Sequence, residues 1–112
     1  MIIYHNPRCR KSRDTLALIE DAGIVPEIVE YLKEVPSEGE LRELLRKLSM
    51  RAEEIIRKGE PDYKEHYKGK QLSENEWISA MVAHPKLIER PIVVRGERAV
   101  LGRPPENVTD LF

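Results

Sequence analysis

Residues 1–32 read in the order strand, turn, helix, strand, which restricts the chain to folds built on a βαβ unit. Ile2 to Tyr4 is a short apolar run closed by Asn6-Pro7, as a first strand ending in a turn would be. From Lys11 to Ala22, Leu16, Ile19 and Ala22 recur at helical spacing, and Gly23 follows as the residue that ends the helix. Pro26 to Leu32 is β-branched and alternating. Ile28 and Leu32 fall on one side and Val29 and Tyr31 on the other, which predicts a strand covered on both faces.

The middle of the chain is helical in pattern. Ser37 and Glu40 form a capping box, after which Leu41, Leu44, Leu45 and Leu48 make an apolar stripe. A short helix is expected over Ala52 to Arg57, and the polar stretch Pro61 to Lys70 reads as a solvated loop that includes His66. Ser73 and Glu76 repeat the capping box ahead of Trp77, Ile78, Met81 and Val82, a spacing that belongs to a core face, and Pro85 ends that helix. His84 reads as a cap or a packed side chain. Beyond Pro91, Ile92 to Val94 and Ala99 to Leu101 flank the loop Arg95-Gly96-Glu97-Arg98, a β-hairpin, and a last helix is expected from about Pro105 to Leu111. The fold class is therefore α/β, a mixed β-sheet with flanking helices. A helical insertion of about 37–88 interrupts a sheet-forming part made of about 1–36 and 89–112. With 112 residues, one domain is expected.

The charge balance excludes some functions. A net charge of -1 lacks the basic excess of nucleic-acid binders, so no nucleic-acid partner is expected. The opening Met-Ile-Ile-Tyr-His-Asn-Pro is not a signal peptide, and no apolar run is long enough to span a bilayer. The reading is a cytoplasmic protein with no membrane partner, and nothing demands more than a monomer. One cysteine cannot make an intrachain disulfide. With only His5, His66 and His84 to help it, it cannot build a cysteine-rich metal site, so no metal is expected.

Cys9 stands where the first strand ends and the first helix begins, among Arg8, Arg10, Lys11 and Arg13. Unpaired N–H groups and the positive end of the helix dipole stabilise an anion there. Such settings lower a thiol's pKa from about 8.5 into the range of about 3.5 to 7.5. The alternative, a small buried hydrophobe, sits badly with so many flanking cations, which are almost never buried together. Simple counting then removes two familiar uses of a thiolate. A phosphate loop of the Cys-x5-Arg type needs an arginine where Thr15 stands, and a Cys-x-x-Cys redox pair needs a second cysteine where Ser12 stands. What remains is attack on an electrophile followed by resolution with an outside thiol.

Arg90 and Arg103 each precede a proline, where a cis peptide can occur, and both lie at ends of the hairpin. A sheet edge there could carry them toward Cys9 and give an oxyanion charge-assisted donors. Taken together, Tyr4-His5-Asn6-Pro7-Arg8-Cys9, Ser12-Arg13, Ile55-Ile56-Arg57-Lys58, Glu89-Arg90-Pro91-Ile92-Val93-Val94 and Gly102-Arg103-Pro104-Pro105 resemble the glutaredoxin-linked arsenate reductase family, in order and over essentially the whole chain. The resemblance implies a thioredoxin-like fold with a helical insertion. It also implies a thiol-dependent oxidoreductase that reduces arsenate to arsenite, with glutathione as co-substrate, glutaredoxin as partner and no bound cofactor. By the same resemblance Cys9 is the nucleophile that forms a covalent adduct, and Arg57, Arg90 and Arg103 hold the oxyanion. Pro91 matches a cis-proline, His5 a histidine that favours the thiolate, and Asn6 and Ser12 loop positions that shape the anion site.

One departure is chemical. Arg10 and Lys11 follow the nucleophile where well-known members carry a Gly-Thr pair; two long cations there could strengthen anion attraction, crowd the site, or suit another oxyanion or a protein thiol as substrate. A weaker resemblance runs to Spx-type regulators, which share the fold and bind RNA polymerase. Those use a redox-active cysteine pair, and Ser12 replaces its second member here.

Overall fold

The computed structural model describes all residues, Met1–Phe112. The chain divides into two compact units, Met1–Glu34 with Arg90–Phe112, and Val35–Glu89.

The first unit holds the sheet. Strands β1 (Ile2–His5), β2 (Glu27–Glu30), β3 (Ile92–Arg95) and β4 (Arg98–Leu101) lie in the order β2-β1-β3-β4. β1 runs parallel to β2 and antiparallel to β3, and β3 pairs antiparallel with β4. Helix α1 (Arg10–Asp21) makes the crossover from β1 to β2, which parallel strands require. Ile3 of β1 and Val93 of β3 are register partners, so their side chains share one face. Ile19 from α1 and Val108 and Leu111 from the closing 3₁₀ helix Pro105–Leu111 complete that core. β3 is buried at Ile92, Val93 and Val94 in succession, as a central strand should be.

Three expectations change here. β2 is an edge strand, shorter than Pro26 to Leu32 and not covered on both faces: Ile28 is 46% exposed and Leu32 38%, whereas Tyr31 is buried. Ile28 is the register partner of Ile3 but sits where the cover of the sheet ends. The buried face of α1 is also not the expected one. Ser12, Thr15 and Ile19 point inward, Leu16 is half-buried and Ala22 is exposed. The hairpin is tighter than expected, because Arg95 and Arg98 pair and leave only Gly96 and Glu97 in the turn. Gly96 has φ +62, the positive value that the first central position of such a turn demands.

The second unit is helical. Helix α2 (Glu38–Leu48) and helix α4 (Glu74–Ala83) both start with complete capping boxes, in which Ser37 and Ser73 accept the N–H of Glu40 and Glu76 and the glutamates reach back to the cap N–H. Leu41, Leu44 and Leu45 from α2 and Trp77, Ile78 and Met81 from α4 are buried. Glu74 tethers the 3₁₀ turn Ala52–Ile55 by accepting the Ala52 N–H at 3.0 and 3.1 Å, and Arg42 of α2 donates to Asn75 at 3.1 Å. Ser37→Ala is expected to cost about 1 kcal/mol in urea denaturation, the usual worth of an N-cap.

The stretch read as a loop contains a helix, α3 (Pro61–His66). No residue on it is fully buried, so it carries no apolar stripe to read. It is held by ring contacts: Tyr63 stacks on Trp77 at 6.3 Å, and His66 on His84 at 5.0 Å. His84 is the C-terminal cap of α4 and lies 3.8 Å from the Asp62 carboxylate. No helix is long and apolar enough to cross a membrane.

Candidate active site

The turn between β1 and α1 builds the site. The Cys9 N–H donates to the Asn6 carbonyl at 3.0 Å, and the Asn6 Oδ1 accepts the Arg8 N–H at 3.0 Å, an Asx turn that fixes where the helix begins. Cys9 is the N-cap of α1, with extended backbone (φ -94, ψ 122). Its thiol closes no capping hydrogen bond. The N–H groups of Ser12 and Lys11 nevertheless lie near enough to favour its charged form.

The Cys9 pKa is lowered from the ordinary thiol value. Partial burial is the largest single influence and acts the other way, disfavouring the anion. It is outweighed by the Ser12 N–H, by the charge of Arg90 and its side-chain hydrogen bond to the thiol, and by the Lys11 N–H. The distant arginine supplies the side-chain charge, and the neighbouring cations do not. Arg8, Arg10, Lys11 and Arg13 are all exposed. Arg10 leans on Asp14 at 3.8 Å, and Arg13 donates to the Pro7 carbonyl at 3.1 Å.

Beneath the turn, Ser12 is fully buried and joins two parts of it. Its Oγ accepts the Asn6 N–H at 3.1 Å and lies 2.7 Å from the Nδ1 of His5, which is also buried. Burial lowers the His5 pKa, Arg13 assists, and Glu30 opposes. His5 thus bonds to Ser12, whose N–H faces the sulfur.

Arg90 reaches Cys9 from the segment that leads into β3. The Arg90–Pro91 and Arg103–Pro104 peptides are both cis. The Arg103 guanidinium donates to the Arg90 carbonyl at 3.3 Å, and the Asn107 amide holds the Arg103 carbonyl at 3.1 Å. The structure therefore brings together Cys9, Arg90, Arg103, Pro91, His5, Asn6 and Ser12 in the first unit. Arg57 belongs to the second unit. Its N–H donates to the Leu87 carbonyl at 2.8 Å, and its guanidinium is held there by Glu60 at 3.0 Å and Glu89 at 3.9 Å.

Sequence reading missed two residues that set this geometry. Gly102 packs against Thr15 of α1 and against Pro91, and its N–H donates to the Pro91 carbonyl at 2.9 Å. Thr15 is fully buried beside it. The available signal was the i, i+3, i+7 placement of Ser12, Thr15 and Ile19, which puts two polar residues on the same inward stripe as a core isoleucine.

Residues 4–111 match the model of the ArsC family. The chain belongs to the ArsC family. Among relatives, the protein YfgD of Escherichia coli K12 is 50% identical over 97% of this chain and 93% of its own. The arsenate reductase of Haemophilus influenzae is 43% identical, covering 100% of this chain and 98% of its own. The structure of an arsenate reductase from Vibrio cholerae superimposes with a TM-score of 0.95 at 48% identity, over 99% of this chain and 96% of that one. The thioredoxin-like mixed sheet expected from the sequence is the ArsC fold seen here.

Proposed function

We propose that this ArsC-family chain is a thiol-dependent arsenate reductase that works through a covalent Cys9 adduct, with glutathione and glutaredoxin as its reductants. The observation that carries the reading is the Arg90 guanidinium on a Cys9 thiol whose charged form is favoured. It offers a nucleophile and an oxyanion donor at one point. The arsenate reductases among the relatives support the choice of oxyanion.

The steps balance as follows. The Cys9 thiolate bonds to arsenic(V), and one arsenic oxygen leaves as water. The glutathione thiol then bonds to the same arsenic, and a second oxygen leaves as water. A glutaredoxin thiolate attacks the glutathione sulfur, the sulfur–arsenic bond breaks with its electron pair left on arsenic, and arsenic(III) results. Water finally releases arsenite and restores Cys9. Net, arsenate and two thiols give arsenite, one disulfide and one water. Arg90 and Arg103 hold the oxyanion and its developing charge, while Pro91, His5, Asn6 and Ser12 keep the loop in place. Arg57 enters from the sequence resemblance alone.

The test supplies arsenate, glutathione, glutaredoxin, glutathione reductase and NADPH. Arsenate-dependent NADPH oxidation is expected with the wild type and background oxidation with Cys9→Ser. Equal rates for the two proteins would sink the reading.

A further inference from the structure

A cavity of about 270 Å³ opens beside the Cys9 turn, lined by His5, Asn6 and Arg8 from that turn and by Glu30, Leu32 and Lys33 from the end of β2. It lies wholly within the first unit. Its wall residue Arg8 directly precedes Cys9, and adjacent Cα atoms are about 3.8 Å apart. The cavity therefore borders the turn that carries the nucleophile, with Cys9 itself not among its lining residues.

The charges of the lining are specific. Arg8 forms no ion pair, and its side chain is exposed. Lys33 and Glu30 approach each other at 3.8 Å, across the cavity from the turn. The cavity thus offers two cations and one carboxylate. Glutathione carries the complement, two carboxylates and one ammonium, on a small flexible body with a thiol at its centre. Pro7 and Leu32 supply the apolar surface such pockets use for the remaining atoms.

We propose that this cavity is the subsite of the resolving thiol: glutathione binds with its carboxylates on Arg8 and Lys33 and its ammonium on Glu30. The assignment rests on the reductase reading above. In this pose the glutathione sulfur attacks the arsenic of the Cys9 adduct. A sulfur–arsenic bond forms, and an arsenic-bound hydroxide departs as water with the thiol proton.

Binding is tested without arsenate, so that it does not depend on turnover. S-methylglutathione, which cannot attack arsenic, is titrated into the full chain and followed by ¹⁵N-resolved amide shifts. Saturable shifts are expected at Asn6, Arg8, Glu30, Leu32 and Lys33. Lys33→Glu should weaken the affinity at least fivefold, and Lys33→Arg should keep it. Lys70→Glu, the same charge change at an exposed position of the second unit, should leave it as it is. Absent or unsaturable shifts, shifts confined to other residues, or equal weakening by Lys33→Glu and Lys70→Glu would each overturn the subsite. In the coupled assay Lys33→Glu should raise the KM for glutathione more than the KM for arsenate. Turnover whose glutathione KM ignores Lys33→Glu overturns the subsite and leaves the reductase standing. Saturable binding without any arsenate turnover removes the reductase reading instead.

Discussion

Arg90→Met should shift the pH dependence of Cys9 alkylation to higher pH and cut arsenate turnover by about 10²- to 10³-fold, the usual cost of losing one oxyanion donor. The sign follows from the forces on the thiol. Burial already opposes the thiolate, and Arg90 contributes both a charge and a hydrogen bond against it. Methionine keeps the unbranched stem and removes both contributions, so the pKa rises toward its ordinary value. Wherever the pKa stands above the working pH, each further unit of rise lowers the thiolate present about tenfold. Lys at this position keeps a charge but loses the planar fork, so Arg90→Lys should fall between the two in both measurements. An alkylation profile that does not move on Arg90→Met would show that the helix N–H groups alone set the thiol's acidity. The same pKa depression ties Cys9 to stability. A thiol whose folded pKa is lowered adds stability that is complete above the unfolded value and is lost as pH falls through the folded one. Arg90→Met should flatten that part of the stability profile.

The Arg90 contact also shows what local sequence could and could not give. The cations beside Cys9 pointed to a reactive thiol, and the thiol is indeed acidified, but by other means. Arg8, Arg10, Lys11 and Arg13 are spread over the exposed side of a helix start, where water screens them. The effective charge comes from the first residue of a distant strand region, delivered by the β1–β3 pairing. Features closed within a few residues were legible: both capping boxes, the leucine stripe of α2 and the hairpin. Features set by what lies alongside were not. The edge position of β2 depends on strand order, and α3 rests on aromatic rings from another helix, with no buried stripe of its own. Arg57 shows the same limit. Its role was read from motif order, and its structural partners, Glu60 and Glu89, emerge only from the fold.

Gly102→Ala should be the most damaging single methyl that can be added near the site. Gly102 needs no unusual φ, so the effect is purely one of space. A Cβ there would lie 2.5 Å from Thr15 Oγ1, 2.7 Å from Pro91 Cγ and 3.0 Å from Thr15 Cγ2, well inside contact distance. None of these neighbours is the loose end of a flexible side chain. Thr15 is buried on α1, where its hydroxyl donates to the Lys11 carbonyl at 2.7 Å, and Pro91 is a ring fixed at the start of β3. Overpacking of this kind costs about 1–3 kcal/mol. The expected result is a lower midpoint in urea with an unchanged slope, and a fall in Tm of several degrees. Relief has only two directions. Either α1 moves away from the β4 end, carrying Cys9 with it, or Pro91 moves and carries Arg90. Both lengthen the Cys9–Arg90 contact, so the alkylation profile of Gly102→Ala should shift toward higher pH together with the stability loss. Thr15→Ala removes two of the three clashing atoms. In the double variant the losses should therefore be less than additive, a coupling that a mutant cycle measures directly. Strict additivity would place the strain on Pro91 alone, and the thiol would then follow the proline and not the helix.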